Sequence, residues 1–219
     1  MNRAHTGAIE MSSERRSVFA APELIKRVFL AVRGLPDRLL HQRRHLAARD
    51  RLSRMARPRR LLVVCYGNIC RSPYLEAVLK HTMPDIPVES AGLMGPGRPV
   101  PPFALAVSAQ RGLNLSAFRS RPLLPGVVRA ADLIVVMDAY QARHIERYFR
   151  VPRKQIVVAG DLDPMPSASR AIADPWGQPM DVFVSSFNRL DRCAAMLVSL
   201  LSREAIPLSH GRSESSMNP

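Results

Sequence analysis

The sequence predicts an α/β fold in three layers, with a parallel sheet covered by helices on both faces. Two observations carry this. From residue 61 onward, short aliphatic runs alternate with segments of helical spacing, and such alternation builds βαβ units. The runs are apolar throughout rather than at every second residue, as strands buried on both faces are. With 219 residues, 47% of them hydrophobic, the chain is long enough for one good core, so one domain plus an extension is expected.

Residues 1–57 read as a basic extension, partly helical or disordered. The first 16 residues are polar, and Leu24, Ile25, Val28, Phe29 and Val32 then recur at helical spacing until Gly34 and Pro36 break the run. Segment 39–55 scatters Leu39, Leu46 and Leu52 among arginines. Its preferred reading is a solvated, half-ordered tail, because no aromatic-rich apolar face backs the charge. The alternative is a basic helix that touches an anionic membrane surface or a partner. A further expectation is that translation begins at Met55, and on any of these readings the extension is dispensable for chemistry. His41 and His45 stand four apart with no third ligand, so no zinc site is read there.

The domain proper is expected over 58–204. Strand 61–65 leads through a tight loop to helix 73–81, and strand 86–90 ends in Ser90-Ala91-Gly92. A Gly/Pro loop over 93–102 precedes helix 103–112. Strand 132–137, helix 140–149 and strand 155–159 follow, then a long final helix over 181–201 carrying Phe183, Phe187, Leu190 and Leu197. Residues 205–219 read as a disordered tail.

Composition narrows the function. Of the net charge of +14, residues 1–60 supply 15 basic and 5 acidic side chains, so the domain itself is only mildly basic. Nucleic-acid binding through 38–60 is disfavoured, since no stacking aromatics stand among those arginines. Three cysteines without framework spacing point to a reducing cytoplasm. No run of about 18 apolar residues suggests a membrane span. No Gly-rich nucleotide loop ending in Gly-Lys-Ser/Thr is present, and neither cofactor nor metal is expected.

The chemistry lies in Val64-Cys65-Tyr66-Gly67-Asn68-Ile69-Cys70-Arg71-Ser72-Pro73. Ser72 reads as a helix N-cap with Pro73 at the first helical position. A loop closing on a helix N-terminus turns backbone N–H groups and the positive dipole end toward one point, which suits a phosphate. Arg71 adds a planar fork for two phosphate oxygens, and the positive field favours a thiolate at Cys65. A thiolate beneath a held phosphate invites in-line attack at phosphorus. Cys70 is read either as a small spacer or as a disulfide partner that shields Cys65 from peroxide.

This loop resembles the signature of the low-molecular-weight protein tyrosine phosphatases, of bacterial type with an N-terminal extension, over about residues 60–204. The resemblance implies a four-stranded sheet of flavodoxin-like winding. It implies that Cys65 is the nucleophile, that Arg71 and the loop from Tyr66 through Gly67, Asn68, Ile69 and Cys70 hold phosphate, and that Asn68, Ser72 and Ser90 brace the loop. Two Asp-Pro pairs compete for the general acid, and the resemblance selects Asp174 in Asp174-Pro175-Trp176, leaving Asp163 as a turn residue. Trp176 and Tyr66 would wall a slot for a flat ring, or Trp176 simply packs the last loop. A histidine usually joins the bracing net, and here Phe118 stands in its place, so one brace is expected to be lost. The resemblance implies a tyrosine-phosphorylated protein substrate, and bacterial relatives suggest a tyrosine kinase. The rival within the same fold is an arsenate reductase, which needs two further cysteines; no cysteine lies between Cys70 and Cys193. The rival of another class is a non-enzymatic phosphate or nucleic-acid binder.

Overall fold

The computed structural model describes residues 39–202. Strands β1 (Leu61–Cys65), β2 (Val88–Gly92), β3 (Leu133–Val136) and β4 (Ile156–Val158) form one parallel sheet in the order β2-β1-β3-β4. The expected flavodoxin-like arrangement is therefore present, with β1 at its centre. Both faces are covered, which is why the strands lack hydrophobic alternation. On one face Leu61, Val63, Leu133, Val135 and Val157 pack under helices α2 (Arg71–Thr82), α3 (Pro102–Ala109) and α6 (Met180–Leu201). On the other, Leu62, Val64, Ile134, Val136 and Ile156 meet Val128 of α4 (Pro125–Ala130) and Ala142 and Ile145 of α5 (Ala139–Phe149).

The differences from expectation are local. Strand β2 runs two residues later than predicted, because it pairs with β1 as far as Gly92 beside Cys65. Helix α4 escapes the hydrophobic pattern, being six residues long with one buried side chain, Val128. Helix α2 starts at Arg71, two residues before the predicted start, and Ser72 does not cap it. Pro73 thus sits third in the helix, still within the first turn where its missing N–H costs nothing.

The larger correction concerns the extension. Residues 39–53 form a helix, α1, and it is not a solvated tail. Its inward stripe is His41, His45, Ala48 and Leu52, a spacing of four, three and four. Ala48 and Leu52 belong to the same core as α2 and α6. The leucines that caught the eye in sequence divide, for Leu39 and Leu46 are exposed. Helix α1 runs antiparallel to β4. His45 lies at the carboxyl end of that strand, hydrogen-bonded to Asp161, and Arg51 at its amino end, reaching the Arg153 carbonyl. The 22–32 helix and the 205–219 tail lie outside the described residues. Among the described residues, no helix is long and apolar enough to cross a membrane.

If α1 is part of the core, Leu52, at 1% exposure, should behave as a core residue. Leu52→Ala is expected to cost about 2–5 kcal/mol in urea unfolding, whereas Leu46→Ala should stay within about 0.5 kcal/mol. Equal, small effects would mean that the helix does not dock in solution.

Candidate active site

Cys65 ends the central strand, and the chain turns over residues 66–70 into α2. Asn68 makes the turn in the left-handed region (φ 51°), a conformation asparagine tolerates better than most side chains. The loop lies directly on Gly92. A Cβ there would stand 2.8 Å from Asn68 Cβ and 2.9 Å from its backbone nitrogen, so glycine is required by close approach. From the next strand end, Leu93 and Met94 donate their N–H groups to Tyr66 O at 2.9 and 3.1 Å. Arg98 adds a bond to Gly67 O at 2.6 Å.

The thiol sits inside this turn. Asn68 donates its N–H to Cys65 Sγ at 3.1 Å, and Ser72 Oγ lies 3.0 Å from the same sulfur. Since Ser72 Oγ already accepts from Asn68 Nδ2 at 2.8 Å, its proton is free to point at the sulfur. Ser72 stands inside the first turn of α2, past its N-cap position at Cys70, and its hydroxyl serves the sulfur instead. Asn68 Nδ2 also donates to Ser90 Oγ at 2.8 Å, and Asn68 Oδ1 accepts the Arg121 N–H at 2.7 Å.

The bracing net is not left short by Phe118. Ser90 Oγ donates to Glu76 Oε2 at 2.5 Å, and the Arg121 guanidinium pairs with the same carboxylate. Phe118 serves as a platform, with Arg121 Cζ 5.1 Å from its ring centroid. Sequence reading missed Glu76 and Arg121. Glu76 was findable, lying four residues after Ser72 and hence on the same face of α2.

Arg71 is only 4% exposed. Its Nη1 donates to Ile172 O at 3.1 Å and its Nη2 pairs with the Asp174 carboxylate. A cavity of about 120 Å³ opens here, lined among others by Cys65, Tyr66, Arg71, Arg98, Asp174 and Trp176. Ile69 and Cys70 line it too, with Gly67 and Met94. Tyr66 (50% exposed) and Trp176 (63%) stand at the cavity surface, so Trp176 does not pack the interior. Burial, then the Asp174 charge, push the Cys70 thiol up to about 12, so it keeps its proton at neutral pH. A larger hollow of about 620 Å³ between Arg51, Pro58 and Lys154 holds no cysteine and no loop closing on a helix N-terminus. The chemistry therefore points to the smaller one.

The competing carboxylate, Asp163, is elsewhere and 1% exposed. Arg192 binds it with two N–H groups at 2.8 and 2.9 Å, Arg189 Nε at 3.0 Å, and the Met165 N–H closes a turn on it at 3.1 Å. It is the predicted turn residue and also an anchor for α6.

A cysteine at the carboxyl end of a central strand, wrapped by a loop and faced by an arginine and an aspartate, defines a phosphatase of the cysteine-loop type. The family model of the low molecular weight phosphotyrosine protein phosphatases matches residues 60–206. Wzb of Escherichia coli K12, a low molecular weight protein-tyrosine-phosphatase, is 33% identical over 150 residues, which is 67% of this chain and 97% of Wzb. The probable phosphatase EpsP of Ralstonia nicotianae is 34% identical, over 60% of this chain and 88% of its own length. Among solved structures, the Erwinia amylovora tyrosine phosphatase amsI aligns with a TM-score of 0.61 at 32% identity, covering 66% of this chain and 94% of that one. The YwlE arginine phosphatase of Geobacillus stearothermophilus aligns with a TM-score of 0.58 at 26% identity, covering 64% and 90%. The chain belongs to the low molecular weight phosphotyrosine protein phosphatase family, and it is a hydrolase of that kind.

The Asp163 cluster has a pH signature. Burial alone would raise its carboxyl, but the Arg192 bonds, the Met165 N–H and the charges of Arg192 and Arg189 together outweigh it and hold it below the usual range. A carboxyl depressed in the folded state stabilises above its unfolded value, about 3.9, and loses that contribution as pH falls below it. The stability gap between wild type and Asp163→Asn should therefore be full at pH 6 and shrink progressively below about pH 4. Urea unfolding across that range measures it, and a gap independent of pH would overturn the assignment.

Proposed function

We propose that the chain hydrolyses phosphotyrosine in proteins through a cysteinyl-phosphate intermediate. The observation that carries this reading is the convergence of Cys65, Arg71 and Asp174 on one cavity bordered by two aromatic rings. Phosphate entering the loop takes the backbone N–H groups of residues 66–71 and the fork of Arg71. In doing so it displaces Asp174 from the guanidinium it now occupies. Freed from Arg71, the Asp174 carboxylate takes up a proton from solvent. Cys65 Sγ, as the thiolate, then attacks phosphorus, the S–P bond forms, and the bond to the phenolic oxygen breaks as Asp174 gives that oxygen the proton. Asp174, now a carboxylate, takes a proton from water as the water attacks phosphorus, and the S–P bond breaks to release phosphate. Tyr66 and Trp176 flank the ring of the substrate.

Two comparisons support this over its rivals. The dithiol relay of an arsenate reductase finds no partner for Cys65 beyond Cys70 among the described residues. Cys193 is buried in α6, where burial pushes its thiol up to about 12. The basic residues of α1 lack the stacking aromatics that a nucleic-acid binder uses. The protein substrate is proposed to be a tyrosine-phosphorylated partner, a bacterial tyrosine kinase being the first to try.

Cys65→Ser should abolish turnover of a phosphotyrosine peptide and still bind phosphate, and Arg71→Lys should be nearly as damaging because an ammonium makes no two-pronged contact. Substantial turnover by either variant would exclude the mechanism, and faster cleavage of a phosphoarginine peptide would reassign the substrate.

Leaving-group dependence tests the acid. Asp174→Asn should slow phosphotyrosine cleavage about a hundredfold or more and slow aryl phosphates of acidic phenols far less. Asp163→Asn should leave that dependence unchanged. The reverse pattern would move the acid to Asp163.

A further inference from the structure

The mechanism needs Asp174 aimed into the cavity, and Asp174 rides on a long connection between β4 and α6. That connection folds back on itself. Its stem is the turn Ala159–Asp161, and its arm is residues 170–174. Arg170 Nε and Nη2 grip the two oxygens of the Asp161 carboxylate at 2.7 and 2.6 Å. The backbones meet as well, for a Cβ on Gly160 would lie 2.0 Å from the Arg170 carbonyl oxygen. Two residues further on, the Ile172 N–H donates to Met137 O at 2.9 Å, Ile172 O receives Arg71, and Asp174 pairs with Arg71. Any displacement of the stem is therefore passed to the arm through tight contacts, and from the arm to the catalytic guanidinium.

The stem is held by α1. His45 Nδ1 lies 3.0 Å from the Asp161 carbonyl, and since a carbonyl only accepts, that nitrogen carries the proton. His45 is buried, and the ring of His41 stacks against it one turn earlier, at 6.1 Å between centroids. Ala48 and Leu52 fix the same helix face in the core, which holds the backbone of His45 beside the stem. This element precedes the stretch that the family model matches, residues 60–206.

We propose that His45 is a positioning residue for the general acid. Through the Asp161 carbonyl, α1 holds the stem of the 159–174 connection and so shares, with Arg189 and Ser186 of α6 on the arm, in setting where Asp174 stands. The extension is then not dispensable for chemistry, contrary to what its sequence suggests. The inference rests on the reading of Asp174 as the acid.

The test compares His45→Leu, which keeps the apolar volume and removes the donor, with His45→Asn, whose side-chain amide can donate from near the Nδ1 position. kcat/KM is measured on phenyl phosphate, a poor leaving group, and on 2,4-dinitrophenyl phosphate, which needs little protonation. Loss of one positioning hydrogen bond should lower the phenyl phosphate value of His45→Leu about three- to tenfold, with a change below about twofold on the dinitrophenyl ester. His45→Asn should recover most of the loss. A merely structural role would lower the melting temperature and leave the ratio of the two substrates as in wild type, which would overturn the proposal. Failure of His45→Asn to recover would overturn it too. Asp174→Asn run beside them separates the two levels. If that variant shows no leaving-group dependence, the acid assignment itself fails. If it does and His45→Leu does not, only the positioning role falls.

Discussion

A guanidinium taken out of water must be matched by acceptors, and the buried Arg71 is the constraint to which the rest of this site answers. In the proposed mechanism the match is the phosphate of the substrate. Without it, the charge is met by the Asp174 carboxylate and the Ile172 carbonyl, both delivered by a segment a hundred residues further along the chain. The arm of the 159–174 connection is thereby drawn to the loop in the free enzyme. The pair holds the Asp174 carboxylate beside the cavity, and on the proposed reading an incoming dianion competes for the same fork. One electrostatic requirement thus brings the Arg71 guanidinium and the Asp174 carboxylate together at the cavity.

The rest of the connection answers a like requirement. Asp163, also buried, is matched by Arg189 and Arg192 of α6, and Arg189 extends to the Ala171 and Ser169 carbonyls. Ser186 of the same helix donates to Ala173 O. Two aspartates with the same Asp-Pro context therefore do opposite work. One is locked between two cations in the interior, and the other shares one cation at a cavity surface.

Much of this was legible in the chain. The continuous aliphatic runs of β1 and β3 could belong only to strands covered twice. The contiguous loop from Cys65 to Pro73 marked where the cavity lies, and the Asp-Pro-Trp context of Asp174 placed it at that same cavity. What escaped was either tertiary or disguised. Arg121 and Glu76 meet only when the segment before α4 lies along the end of β2, beside α2, and no local pattern pairs residues 45 positions apart. The stripe of α1 was disguised because two of its four members are histidines, which read as polar. The eye went instead to Leu39 and Leu46, which face solvent. Segment 39–55 reads as a solvated tail because no aromatic-rich apolar face backs its charge, whereas two imidazole rings, an alanine and one leucine make its buried face.

The docking of α1 also has a temporal side. His45 and its carbonyl partner at Asp161 are 116 residues apart in sequence. At synthesis rates of about 5–20 residues per second, the helix waits on the order of ten seconds for its partner to be made. Through that interval Ala48 and Leu52 have only part of the core to bury against, and a helix of 15 residues is marginal by itself in water. The first segment of the described chain to be made is thus among the last to find its place. Its many arginines, repelling one another and neighbouring nascent chains, would keep that waiting segment from sticking to others.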